Sequence, residues 1–264
     1  MPYGKKDVLI TLDAGNTSIF MGAYKGRKLL RTRRIIYANI PDKTLEKEIT
    51  GFYGRFYGCV EGAVISSVVP CLNRVLRSIL MRKFSIKPFF VNSDVNGLMK
   101  ILCEKPQKLG ADRIAVAVGA KALYGCPLIV VDFGTAVTFD FIDKKGNYRG
   151  GAIAAGVWIS CRALAEKTAL LPEIKFSKPL KVIGANTVDC IKSGIYYGFT
   201  GSVKEIITRM KKEIGYNAKV VATGGYGSGI LREAGILCRT NEDLVHEGMR
   251  IIWKRNQGRS QIDK

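Results

Sequence analysis

The chain has 264 residues, enough for one large domain or two ordinary ones, and its 47% hydrophobic and 24% charged residues exclude a disordered protein. No run approaches the ~20 consecutive apolar residues of a membrane span. Asp7 and Asp13 interrupt the N-terminal apolar stretch that a signal peptide would need, so a cytoplasmic protein is expected.

The net charge of +20 is spread along the chain, with one dense stretch: Arg27, Lys28, Arg31, Arg33 and Arg34. No zinc finger, basic zipper or RNP aromatic pattern accompanies it, which argues against nucleic acid as the main partner. The stretch reads as a solvated hairpin edge whose charge blocks edge-to-edge pairing. Seven cysteines, none in a Cys-x-x-Cys, exclude a zinc ribbon and a thioredoxin-type motif and are expected as free, mostly buried thiols. His246 is the single histidine, which excludes a His-rich metal centre and leaves a carboxylate as the better acid–base candidate. It reads as a helix-surface or partly buried residue. Trp158 and Trp253 read as packing or dimer-contact residues.

In chain order, residues 8–12 are apolar and rich in β-formers, and they stop at Asp13-Ala14-Gly15-Asn16-Thr17. A strand over 18–24, a Lys25-Gly26 turn and a strand over 29–36 follow. Residues 64–69 predict another strand, ending in a turn at Pro70 and followed by a helix over about 73–83. A short strand is expected at 88–91. Residues 111–124 are helical, with Ile114, Val118 and Ala122 at helix spacing and a stop at Gly125 and Pro127. Then come a strand over 128–131, Asp132-Phe133-Gly134-Thr135-Ala136, a strand over 137–142, a turn at 144–147, and Tyr148 onward. Helices are expected over 188–199 and 201–214. A last strand over 219–223 runs into the Gly-rich stretch 224–229, and the tail after Trp253 is expected to fray.

The same organisation occurs twice. Asp13 aligns with Asp132 and Gly15 with Gly134, each Asp ending an apolar strand and each Gly two residues on. This predicts a duplicated α/β chain, two related halves facing each other across a cleft. In each Asp-x-Gly turn the glycine lets a ligand approach the backbone. The following amides and the Asn16, Thr17 and Thr135 side chains offer donors to phosphate oxygens, and the aspartate can hold a metal ion or its waters. Turn-forming residues in ordinary hairpins are the competing reading. No Gly-x-x-x-x-Gly-Lys-Ser/Thr exists, so a P-loop kinase is excluded. Gly224 to Gly229 does not spell a dinucleotide fingerprint, but it could admit a base or ribose or be a flexible loop. Asp112, in Gly110-Ala111-Asp112-Arg113 at a helix start, is either a helix cap or a general base for a hydroxyl attacking a γ-phosphate.

Taken in order, these motifs together resemble the type III pantothenate kinases. The others are Ser66-Ser67-Val68-Val69-Pro70, Gly150-Gly151-Ala152-Ile153, Asn186-Thr187, Ser193-Gly194 and Thr223-Gly224-Gly225. The resemblance runs from about residue 8 to residue 252. It implies an α/β fold of two duplicated ribonuclease-H-like domains of the actin-like ATPase type, as in the acetate-and-sugar-kinase, heat-shock chaperone and actin superfamily. The expected domains are 1–116 and 117–264, with the nucleotide cleft between them.

The resemblance further implies ATP-dependent phosphorylation of pantothenate to 4'-phosphopantothenate, the first step of coenzyme A biosynthesis. Asp112 would accept the proton. Asp13, Ala14, Gly15, Asn16, Thr17, Ser18, Ile19, Phe20 and Thr135 would contact ATP. Cys103, Gly110, Ala111, Asp112, Arg113 and Thr187 would line the pantothenate site. Asp132 would bind a monovalent cation, K+ or NH4+. Mg2+ is expected with ATP, with Asp13 as an outer-sphere contact, and the protein is expected to be a homodimer with no membrane partner. Cys103-Glu104-Lys105-Pro106 stands where the family has Tyr-x-Asn-Pro, and Ala155 where it has Pro. The alternatives are a non-catalytic regulator resembling the Bvg accessory factor, and a kinase for another small hydroxy compound.

Overall fold

The computed structural model describes residues 6–37, 41–95 and 97–260. They form two compact units: residues up to Leu123 together with those from Asp243 onward, and Tyr124–Glu242.

The first unit opens with β1 (Val8–Ala14), β2 (Ser18–Lys25) and β3 (Lys28–Ile36), an antiparallel meander. α1 (Asp42–Tyr53), not anticipated from sequence, leads to β4 (Val60–Ser67), which lies parallel to β1. α2 (Pro70–Phe84) and the short β5 (Phe89–Phe90) complete a sheet of order β3-β2-β1-β4-β5. β1 sits centrally and is buried throughout except at Asp13, which explains its near-continuous apolar run. α1 turns Leu45, Ile49, Phe52 and Tyr53 onto this core, an amphipathic stripe at helix spacing. α2 begins at Pro70, where a missing N–H costs nothing. α3 (Ala111–Tyr124) ends the first pass through this unit.

The second unit repeats the plan. β6 (Leu128–Phe133), β7 (Ala136–Ile142) and β8 (Tyr148–Ala155) form the meander. α4 (Val157–Lys167) and the long α5 (Thr187–Ile214) precede β9 (Lys219–Thr223), parallel to β6. α6 (Gly227–Glu233) and β10 (Cys238–Thr240) close a sheet of order β8-β7-β6-β9-β10. Strand for strand this is the topology of the first sheet, so the duplication read from two Asp-x-Gly turns extends to both folds. α5 is one helix where two were expected. Gly201 costs about 1 kcal/mol in a helix interior, but the buried Tyr196, Thr200, Val203 and Ile207 hold the helix through it.

α7 (Leu244–Ser260) returns to the first unit. It crosses α3 with glycines on both sides: a Cβ at Gly119 would lie 2.5 Å from Leu244 O, and one at Gly248 would lie 1.7 Å from Ala115 O. Trp253 lies over Gly62 of β4, so it is a packing residue as expected. The domain limits therefore differ from the expected 1–116 and 117–264. The 116/117 division falls inside α3, and the α3–α7 crossing binds the C-terminal helix to the first unit. The tail expected to fray after Trp253 continues α7 to Ser260.

No disulfide joins the seven cysteines; Cys59 and Cys161 are buried, while Cys71 and Cys190 are exposed. The basic stretch lies on the edge strand β3, as expected, but it is only partly solvated. Arg31 stacks over Phe52, Arg33 pairs with Glu48 at 2.6 Å, and Arg34 stacks over Phe20.

Candidate active site

In the first unit, Asp13 stands at the end of β1 and Ala14 closes the strand. Gly15, Asn16 and Thr17 make the turn, and Ser18, Ile19 and Phe20 begin β2. The Gly15 N–H donates to Ser18 O at 3.0 Å and closes the turn. Asn16 and Thr17 are exposed, while Ala14, Ile19 and Phe20 are buried in the core. Of the residues expected to contact ATP, the side chains of these three therefore face the core, which leaves only their backbone to a ligand.

Asp13 is held between opposing influences. Its register partner on β4 is Ser66, whose hydroxyl donates to Asp13 Oδ1 at 2.9 Å. Arg34 also favours the anion. Burial and the nearby Asp112 carboxylate outweigh both and raise Asp13 from an ordinary 3.8 to about 7. Asp13 and Asp112 come from distant parts of the sequence, and the fold brings them into electrostatic contact.

Asp112 lies in the first turn of α3, where the helix dipole favours a negative charge. The Arg113 N–H donates to Asp112 Oδ1 at 2.7 Å. The carboxylate folds back over Gly110, where a Cβ would stand 2.4 Å from Oδ1, so any larger residue at 110 would displace it. Val68, just after β4, lies against the same spot. Asp112 accepts from the amide of the next residue inside the first turn, and its charge acts on Asp13 at the first Asp-x-Gly hairpin. Ala111 is buried, Arg113 is half-buried, and Cys103 lies on a bend ahead of the short turn Pro106–Lys108.

In the second unit, Asp132 lies in β6 and Thr135 is exposed in the hairpin turn. The Gly134 N–H donates to Ala136 O at 3.1 Å, and the Gly156 N–H donates to Thr135 O at 3.1 Å. Asp132 pairs in register with Thr138 on β7 and Thr223 on β9. Register places these two hydroxyl residues on the same face of the sheet as the carboxylate; the Thr138 hydroxyl donates to Asp140 Oδ2 at 3.1 Å, and the Thr223 hydroxyl lies 3.5 Å from Glu242 O. Gly224 follows at φ +86°, and a Cβ there would meet Phe133 O at 2.4 Å. A cavity of about 100 Å³ lined by Thr223, Gly224, Ser228, Asn241 and Glu242 adjoins this turn. The Gly-rich stretch is thus half turn and half the start of α6. Thr187 is the exposed first residue of α5, capped by Asn186, whose side chain accepts from the Asp189 N–H at 3.0 Å. A larger cleft of about 580 Å³, lined by Phe141, Asp143, Arg149, Met210 and Tyr216 among others, contains none of the expected site residues.

Sequence reasoning missed several groups around Asp13. Ser66 was noted only as part of a motif, although strand register predicts its pairing. Arg34 was read as one charge in a run, yet it is the register partner of Phe20 and donates to Ser18 Oγ at 3.2 Å. His246 is fully buried, not at a helix surface. Its Nδ1 lies 2.9 Å from Thr11 Oγ1, and its ring lies 4.3 Å from that of Phe20. Burial, with the Arg34 charge nearby, lowers it to about 3, so it stays neutral. Trp158 is not a packing residue of the core: it is exposed, and its indole N–H donates to Tyr226 Oη at 3.0 Å.

Two sheets of one topology, each with an Asp-x-Gly hairpin at the end of its central strand, define the actin-like ATPase fold. Solved structures of low identity share it. A Baf-family protein from Campylobacter jejuni superimposes with a TM-score of 0.58 at 20% identity, covering 94% of this chain and 99% of that one. MreB 5 of Spiroplasma citri, solved with AMPPNP bound, gives 0.53 at 11% identity, covering 99% and 100%. Sequence comparison is more specific. The family model for type III pantothenate kinase matches residues 9–209. The type III pantothenate kinase of Moorella thermoacetica is 41% identical over 255 residues, 94% of this chain and 100% of that protein. The chain belongs to the type III pantothenate kinase family.

Proposed function

We propose that the protein transfers the γ-phosphate of ATP to the primary hydroxyl of pantothenate, the entry step of coenzyme A biosynthesis, with Asp112 as proton acceptor. Family membership carries the overall reaction. The juxtaposition of Asp112 with Asp13, at the end of the first hairpin, carries the residue assignment. The pantothenate hydroxyl oxygen attacks the γ-phosphorus and forms the new O–P bond. The bond from the γ-phosphorus to the β–γ bridging oxygen breaks, ADP leaves, and the hydroxyl proton passes to Asp112. Such transfers depend mainly on positioning and charge neutralisation, so a well-placed carboxylate suffices as base.

The turn amides after Asp13 and after Asp132 would hold phosphate oxygens, with Asn16, Thr17 and Thr135 adding donors. The cavity beside Gly224 would take part of the nucleoside. Asp132, with the Thr138 and Thr223 hydroxyls, would hold K+ or NH4+, whose charge screens the phosphates. Mg2+ keeps several waters and binds chiefly through substrate phosphates, and Asp13 would meet it through one of those waters. Gly110, Ala111, Arg113, Cys103 and Thr187 would line the pantothenate site. The exposed apolar side chains Leu170, Leu180, Val182 and Ile183, in the segment leading to Thr187, support a homodimer. Among the described residues no helix is long and apolar enough to cross a membrane.

The base assignment is tested by Asp112→Asn. It keeps the shape of the side chain, and its kcat should fall between about a hundredfold and ten-thousandfold while thermal unfolding changes little. A near-normal kcat would remove Asp112 from the chemistry.

A further inference from the structure

The first hairpin turn is held by a side chain that belongs to none of the motifs. Tyr37 follows β3, and its ring packs against the core of the first unit. Its hydroxyl lies 2.8 Å from Gly15 O and 3.0 Å from Asn16 O, and its backbone N–H donates to Thr17 O at 3.3 Å. Three successive turn carbonyls are therefore directed at one residue. A phenol has one proton, so the hydroxyl shares it between the first two. A phenol keeps that proton at neutral pH, and burial raises Tyr37 further above its ordinary 10.

In a planar trans peptide the C=O and N–H point in opposite directions. With the Gly15 and Asn16 carbonyls turned toward Tyr37, the Asn16 and Thr17 N–H groups point away from it. Consecutive amides aimed to one side make an anion-binding concavity. We infer that Tyr37 is a positioning residue for the nucleotide, its hydroxyl fixing the 15–16 and 16–17 peptide planes so that their amides meet phosphate oxygens. The inference rests on the reading of this hairpin as a phosphate site.

The test is Tyr37→Phe, which keeps the ring and removes the donor, with Tyr37→Leu as a second hydroxyl-free variant. Mg-ADP is titrated calorimetrically into wild type and variants, and kcat and both KM values are measured. The expected result is about tenfold weaker Mg-ADP binding and a matching rise in the ATP KM. The pantothenate KM and the kcat at saturating ATP should stay within about twofold. Unchanged Mg-ADP affinity in a variant would overturn the role of Tyr37 alone. An equal rise in the pantothenate KM would overturn it too, by showing a general loosening of the unit. Wild type that binds no Mg-ADP would overturn the phosphate reading of the hairpin, and the inference with it.

Discussion

Asp13 is kept at a site that opposes its charge. A carboxylate raised from 3.8 to about 7 is protonated in the folded protein over a range where the unfolded chain has already ionised. Stability contributed by this group is therefore present below pH 4 and lost as pH rises toward 7, at about 1.4 kcal/mol per unit of difference. Buried His246 has the opposite sign: lowered to about 3, it contributes stability above its ordinary 6.5 that is lost as pH falls. Asp13→Asn keeps an acceptor for Ser66 and removes the charge. It should be more stable than wild type in urea unfolding at pH 8, by up to a few kcal/mol, and nearly equal at pH 4; parallel pH curves would contradict the assigned shift. Cys103→Tyr supplies the tyrosine that the resemblance to the family implies at this position. It should lower the pantothenate KM by about fivefold, the worth of one hydrogen bond, and leave the ATP KM alone, as read from initial rates. The Asp-x-Gly turns and the Asp112 motif stand out in the sequence. The pairing of Ser66 with Asp13 and the contacts of Arg34, Tyr37 and His246 do not, because each depends on a register or packing partner elsewhere in the chain.

Between elements, the crossing of α3 and α7 is among the least tolerant contacts. Gly248→Ala would put a methyl 1.7 Å from Ala115 O, a backbone atom that can move only with its helix. The variant should lose at least about 2 kcal/mol by denaturant unfolding. A loss under 0.5 kcal/mol (about the scatter of neutral surface changes) would mean that α7 is not held there. Since α3 carries Asp112 in its first turn, a displaced α7 should also lower kcat. The strands were legible because central strands such as β1 and β6 are nearly unbroken apolar runs bounded by turn residues. α1 shows what was overlooked. Its Leu45, Ile49 and Phe52 spacing is in the sequence, but charged residues between them hide the stripe. α5 shows the reverse error, since glycine suggested a break that buried packing closes.

At the scale of the whole molecule, two units of one topology place equivalent hairpins on two central strands, and each hairpin has departed from the other in its partners. Asp13 meets Ser66, Arg34 and Asp112, whereas Asp132 meets hydroxyl residues in register and a left-handed glycine beyond. The proposed division of labour follows from these partners: the first hairpin would lie beside the proton acceptor, and the second would offer oxygens to a cation. The duplication was legible from two short motifs, while the return of α7 to the first unit was not, because no local signal marks which sheet a C-terminal helix will cover. The most direct measurement is ADP release by purified protein with Mg-ATP, with and without pantothenate, in potassium and then in sodium buffer. Release that requires pantothenate and falls at least about tenfold in sodium, the loss expected of a removed cation contact, is the predicted result. Folded protein that releases ADP equally with and without pantothenate, or not at all in either buffer, would contradict the account.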